Sequence, residues 1–111
     1  LVDLHLLPKS KTGDKTLRKY SPHSVGHLLG LDVHDPYTKN KKNLILKKGM
    51  VLTIEPGIYF SKNETLIPKD LKGAGFRIED NILVTSSGYK VLTHRIPKEV
   101  KDIERLCSKK V

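Results

Sequence analysis

Three histidines crowd one short stretch of the chain. His23, His27 and His34 stand four and seven residues apart within YSPHSVGHLLGLDVHD. An imidazole can ligate a metal, or take and give a proton near neutral pH. On a helix His23 and His27 would share a face and chelate a cation, but Gly26 and Gly30 weaken a continuous helix there. The glutamate of an HExxH zinc-protease motif is absent, because Ser24, Val25 and Gly26 stand between the two histidines. The stretch therefore reads either as a metal or catalytic site on irregular backbone, or as hydrogen-bonded histidines in a tight turn.

Carboxylates follow at places where a strand would hold them. Glu55 ends the apolar run MVLTI and is followed by Pro56-Gly57. An unpaired carboxylate is costly to bury, so a buried Glu55 requires a cation or a metal. An exposed strand-end Glu55 requires neither. Arg77 and Glu79 are two apart in FRIEDNILV, which puts them on one strand face with Asp80 on the other. They form either a surface ion pair or a carboxylate ligand steadied by a guanidinium. One imidazole and two carboxylates are borderline-to-hard donors, and suit Mn, Co or Zn with a coordination position left open.

The elements that must carry these residues can be read from pattern. Leu1 to Leu7 is apolar and ends at Pro8, and Lys9 to Lys19 is expected to be a loop. Residues 36–48 are polar and read as a connection. Residues 50–54 are a β-prone run that resumes as Ile58-Tyr59-Phe60. Residues 61–75 are loop-like and close on Gly73-Ala74-Gly75. Residues 76–84 are expected to be one strand, with Phe76, Ile78 and Asp80 on one face. Ser86-Ser87-Gly88 signals a hairpin into a strand from Tyr89 to Thr93. A helix is expected from Pro97, since Ile96, Val100, Ile103 and Cys107 recur at spacings of 4, 3 and 4.

Length and charge narrow the classes. At 111 residues the chain is one small domain, and a hydrophobic fraction of 37% with 5% aromatics predicts a lean core. No apolar run approaches a membrane span, so no membrane partner is expected. A formal charge of +9 raises nucleic acid. However, the lysines scatter (Lys9, Lys11, Lys15, Lys39, Lys41, Lys42, Lys47, Lys48), arginines number four, and no aromatics interleave for stacking, so no nucleic-acid partner is expected. The single Cys107 excludes an internal disulfide and reads as a half-buried thiol on the last helix.

The blocks HSVGHLLGLDVHD (23–35), GMVLTIEPGIYF (49–60) and GFRIEDNILVT (75–85) resemble three successive signatures of the Xaa-Pro peptidases. They are in order and suitably spaced. YSPHSVGH and the tail PKEVKDIERLCS (97–108) are similar to the mitochondrial branch of aminopeptidase P. The resemblance implies an α+β chain, the C-terminal part of a pita-bread (creatinase/aminopeptidase) fold, with an antiparallel sheet and a C-terminal helix. It implies metal ligands at His27, Glu55 and Glu79, and catalytic roles for His23, His34, Glu55 and Arg77. Arg77 would orient Glu79, Glu55 would also take the proton of the attacking water, His34 would assist the substrate, and His23 would line the pocket.

The activity implied is that of a dinuclear metallo-aminopeptidase, a hydrolase. It would use two Mn2+, with Co2+ or Zn2+ as alternatives, and release the first residue of peptides with Pro at position two. A mitochondrial location, or otherwise a cytoplasmic one, trimming of imported proteins and a homodimer in the intact enzyme are also implied. The family's two Asp ligands lie upstream of its His block. Asp3 and Asp14 copy their spacing but stand too close to His23, so residues 1–111 read as the C-terminal portion of the catalytic domain, inactive alone. Two other readings are a pita-bread module without catalysis that binds peptides or proteins, and a small basic nucleic-acid-binding domain.

Overall fold

The computed structural model describes residues 14–35 and 44–108. The chain divides into two compact units, Leu1–Gly26 with Glu55–Arg77, and His27–Ile54 with Ile78–Val111. Among the described residues no helix is long and apolar enough to cross a membrane.

The first unit opens with helix α1 (Asp14–Tyr20), where a loop was expected from the polar run. Arg18 and Lys19 lie in its last turn, where cations suit the helix dipole, and Pro22 stops it. Its end is anchored by Tyr20, which is buried against Phe60 and Ile67 with Ile58 and Leu71 around them. The Tyr20 and Phe60 rings meet edge-on at 6.0 Å. That cluster is the buried apolar core among the described residues, as lean as the composition predicts.

Strands β2 (Gly57–Tyr59) and β3 (Gly75–Arg77) pair antiparallel in the same unit, with Gly57↔Arg77, Ile58↔Phe76 and Tyr59↔Gly75. The pairing runs on through Phe60 N–H to the Ala74 carbonyl at 2.9 Å. The loop between the strands is held by Glu64, itself buried. Its carboxylate takes the Lys19 ammonium, the Tyr20 hydroxyl at 3.2 Å and the N–H groups of Thr65 and Leu66 at 3.0 and 3.3 Å.

The second unit holds a three-stranded antiparallel sheet in the order β1-β4-β5. These are β1 (Val51–Ile54), β4 (Asp80–Thr85) and β5 (Gly88–Val91). Ile54↔Asp80 ends the first ladder, and Thr85↔Gly88 closes the expected hairpin through Ser86-Ser87. Leu52, Ile54, Ile82, Val84, Tyr89 and Val91 share one apolar face, as period-two alternation requires. Residues 27–29 run antiparallel along the other edge of β1. They bond through Leu29 N–H to the Val51 carbonyl and Thr53 N–H to the His27 carbonyl, at 3.0 and 2.9 Å.

Three expectations about elements are corrected. The single strand over 76–84 is two, β3 and β4, and Ile78-Glu79 lie in neither. The last helix, α2 (Val100–Cys107), begins three residues after Pro97. The expected stripe of Ile96, Val100, Ile103 and Cys107 is exposed throughout, so the half-buried thiol is not observed. The apolar run Leu1–Leu7 and residues 36–43 of the connection expected at 36–48 lie outside the described residues.

Candidate active site

Glu55 stands where β1 ends, buried to 7% exposure, with its N–H on the Val25 carbonyl at 2.6 Å. A carboxylate this buried needs a cation. Arg77 supplies one, since its Nη1 lies 3.3 Å from Glu55 Oε2. The same guanidinium donates from Nε to the Tyr59 hydroxyl at 2.8 Å. The strand register explains the reach. Arg77 pairs directly with Gly57, which has no side chain, so its long arm extends to the diagonal neighbours on that face, Glu55 and Tyr59.

Tyr59 links this pair to the first histidine. His23 Nδ1 lies 2.7 Å from the Ser24 carbonyl, which can only accept, so Nδ1 carries a proton. In the neutral ring Nε2 then accepts from the Tyr59 hydroxyl at 3.1 Å. The rings cross edge-on at 5.4 Å. The tyrosine ring fits because Gly75 lies opposite it and Gly57 two residues before it. A Cβ at Gly75 would stand 2.6 Å from Tyr59 Cδ1, and one at Gly57 would stand 2.7 Å from both the Tyr59 hydroxyl and His23 Nε2. Glu55, Arg77, Tyr59 and His23 thus form one continuous polar chain. Sequence reasoning missed Tyr59. The available signal was a large residue facing two glycines in a paired register, which appears only once the strands are aligned.

His27 and His34 belong to the other unit and lie together there, with ring centroids 4.4 Å apart. The His27 backbone is clamped at both groups by Thr53. Its N–H donates to Thr53 Oγ1 at 3.0 Å, and its carbonyl takes the Thr53 N–H. Its Nδ1–H donates to the Leu28 carbonyl at 2.9 Å, which puts the lone pair of the neutral ring on Nε2. That is how a metal-ligating histidine is usually held, one ring nitrogen fixed by a carbonyl and the other presenting its lone pair.

Glu79 is exposed, directly before the first paired residue of β4. Asp80 after it accepts from the Thr93 hydroxyl at 2.5 Å and from the Lys98 ammonium at 3.0 Å. These two bonds hold its carboxyl below the usual carboxylate range. Among the described residues no three His, Cys, Asp or Glu side chains gather closely enough to hold a metal ion. What the structure does bring together is the pair Glu55–Arg77 with Tyr59 and His23, and separately the pair His27–His34. By ligand type, an imidazole whose Nδ1 is fixed by a carbonyl and a buried carboxylate are groups that divalent cations take.

The fold defined by these elements is part of the pita-bread fold. Over its full length the chain superposes on Escherichia coli aminopeptidase P, in a zinc-substituted complex with product, with a TM-score of 0.81 at 36% identity. It covers 26% of that chain. Residues 4–86 match the model of metallopeptidase family M24, and the chain belongs to that family. It is 46% identical over 110 residues to rat Xaa-Pro aminopeptidase 3, covering 98% of this chain and 22% of that protein. It is 46% identical over 88 residues to the mitochondrial intermediate cleaving peptidase 55 of Arabidopsis thaliana, covering 79% of this chain and 17% of that protein. The chain therefore spans about a quarter or less of the length of these relatives.

Proposed function

We propose that this chain is the C-terminal portion of the catalytic domain of a dinuclear Xaa-Pro aminopeptidase, and that His27, Glu55 and Glu79 are its metal ligands. The observation that carries the reading is the buried Glu55 carboxylate, fixed through Arg77 and Tyr59 to His23. A surface ion pair would not require that construction. When bound, two divalent cations, Mn2+ by family resemblance, would supply Lewis acidity and lower the pKa of a water.

The chain's own residues then divide the work. Arg77 holds Glu55 Oε2, and Glu55 takes a proton from the attacking water. His27, with its proton held on Nδ1, presents Nε2 as a donor. His34, beside it, donates a hydrogen bond to the substrate carbonyl or the proline nitrogen. His23 lines the pocket, with its ring direction set by Tyr59. The substrate class is peptides with Pro at position two. A mitochondrial setting is supported by the Arabidopsis relative, and a homodimer is the expected assembly of the intact enzyme.

A graft tests this. The chain replaces the corresponding segment of E. coli aminopeptidase P, and the product is assayed for Mn2+ binding and Xaa-Pro hydrolysis. Mn2+-dependent release of the first residue is expected, lost in His27→Ala, Glu55→Gln and Glu79→Gln, with the 111-residue chain inactive by itself. A folded graft that binds no Mn2+, or full activity in Glu55→Gln, would refute it.

A further inference from the structure

Lys98 and Thr93 have been given no role above, yet both close on the residue that follows Glu79. The Lys98 ammonium has three hydrogens and three acceptors: Asp80 Oδ1 at 3.0 Å, the Thr93 carbonyl at 3.2 Å and the Ile96 carbonyl at 3.0 Å. The Thr93 hydroxyl donates to Asp80 Oδ1 at 2.5 Å, and its oxygen accepts the Asn81 N–H at 3.1 Å. The turn itself is closed by Ile96 N–H on the Thr93 carbonyl at 2.9 Å, and Leu92 N–H bonds the Asn81 carbonyl at 2.8 Å. Both Lys98 and Asp80 are only about a quarter exposed, at 26% and 25%. An ammonium that has exchanged most of its water for three fixed acceptors is a geometric clamp rather than a loose surface pair.

The clamp acts at one place in the backbone. Glu79 belongs to no strand, and β4 starts at Asp80, so Glu79 takes its direction from how Asp80 is held. Asp80 lines the apolar face of the sheet with Ile54 and Ile82. No ladder pairing holds Glu79 itself, so the pinned Asp80 is the fixed point from which the chain leaves the sheet toward Glu79.

We infer that Lys98 and Thr93 are positioning residues for Glu79, fixing through Asp80 and the Asn81 amide the direction in which the Glu79 carboxylate is presented to a divalent cation. The inference rests on Glu79 being a ligand. It predicts that two residues that touch no metal set metal affinity, as outer partners of ligands do, by about 10- to 100-fold.

The test titrates the chain grafted into E. coli aminopeptidase P, as above, with Mn2+ alone, reading the dissociation constant by electron paramagnetic resonance and the paramagnetic broadening of the Glu79 resonances. Melting temperature and Asn81 amide exchange are followed beside them. Lys98→Met and Thr93→Val should each weaken Mn2+ about 10- to 100-fold and relieve the broadening at Glu79, with Thr93→Val also speeding Asn81 exchange. Thr93→Ser, which keeps the hydroxyl, should restore all three. Glu79→Gln separates the layers. If Glu79→Gln weakens Mn2+ while folded Lys98→Met and Thr93→Val do not, the positioning role is overturned and the ligand stands. If Glu79→Gln leaves Mn2+ unchanged, both fall. If Lys98→Met fails to fold, Thr93→Val against Thr93→Ser decides alone, since the pair differ in the hydroxyl while the lysine is retained.

Discussion

Arg77 at the end of β3 reaches diagonally to Glu55, two residues before β2, with guanidinium Nη1 3.3 Å from carboxylate Oε2. Alternation along a single strand would have paired Arg77 with Glu79, but the ladder ends at Arg77 and the alternation does not continue. Arg77→Ala should therefore act on Glu55. The arginine is 43% exposed but its partner is buried, so taking the guanidinium from the Glu55 carboxylate should cost about 1–3 kcal/mol of stability. Metal affinity in the grafted enzyme should fall about 10- to 100-fold. Arg77→Lys should not restore it, because one ammonium cannot reproduce the planar fork that serves Glu55 from Nη1 and Tyr59 from Nε. Mn2+ titration beside a melting curve decides. A loss of stability with affinity unchanged would reduce Arg77 to a structural role.

Removing the Tyr59 hydroxyl opens the chain at its centre. Tyr59→Phe keeps the ring against Gly75 and removes the partner of both His23 Nε2 and Arg77 Nε. A net cost of about 0.5–1.5 kcal/mol is expected from denaturant unfolding, with the slope unchanged. Two-bond 1H–15N spectra should show a changed Nε2 environment at His23 while Nδ1, held by Ser24, keeps its proton. An unchanged His23 spectrum would mean that the ring is held by something other than Tyr59.

Gly57 is required by space rather than by backbone angle. An added Cβ would sit 2.7 Å from His23 Nε2 and 2.7 Å from the Tyr59 hydroxyl. Gly57→Ala should therefore push the two apart and cost about 1–3 kcal/mol, as overpacking does. Gly88, where the added Cβ meets nothing within 4 Å but φ is +142°, fails for the opposite reason. Gly88→Ala should cost stability with His23 unmoved. Comparing His23 shifts in the two variants checks the distinction, and a shift in both would refute it.

What the sequence disclosed follows the range of the forces involved. β1, the Ser86-Ser87 hairpin and the stripe of α2 are local patterns of period two or near four, and they are legible. Helix α1 was hidden because Leu17 and Tyr20 are its only apolar positions, and Tyr20 is fixed by Phe60 and Ile67, some forty residues on. Glu55 and Arg77 could be picked out as chemically capable residues, but their partnership depends on the Gly57↔Arg77 register, which no local window contains. Tyr59 and Lys98 were missed for the same reason: each acts only through contacts that folding creates.

Glu64 gives the fold a pH dependence whose sign can be worked out. The Lys19 ammonium hydrogen-bonded to it is the main cause, with the Leu66 N–H and the Tyr20 hydroxyl adding to it and burial opposing. Together they hold its carboxyl at about 2, against an ordinary value of 4.5. A carboxyl that is harder to protonate folded than unfolded stabilises the fold wherever it is ionised in both states. Its contribution should therefore be complete above about 4.5 and lost as pH falls through the window down to about 2. Glu64→Gln removes the charge and keeps the shape, so the gap between wild type and variant should be widest near neutrality and close across that window. Asp80, also held below its ordinary range, titrates in both proteins and cancels in the difference. Lys19→Met should narrow the same window while leaving the Tyr20 hydroxyl and the Thr65 and Leu66 amides on the carboxylate. Urea midpoints measured from pH 7 to pH 2 decide the matter. A gap between wild type and Glu64→Gln that stays constant down to pH 2 would show that Glu64 holds its loop by hydrogen bonds alone, without the charge of Lys19.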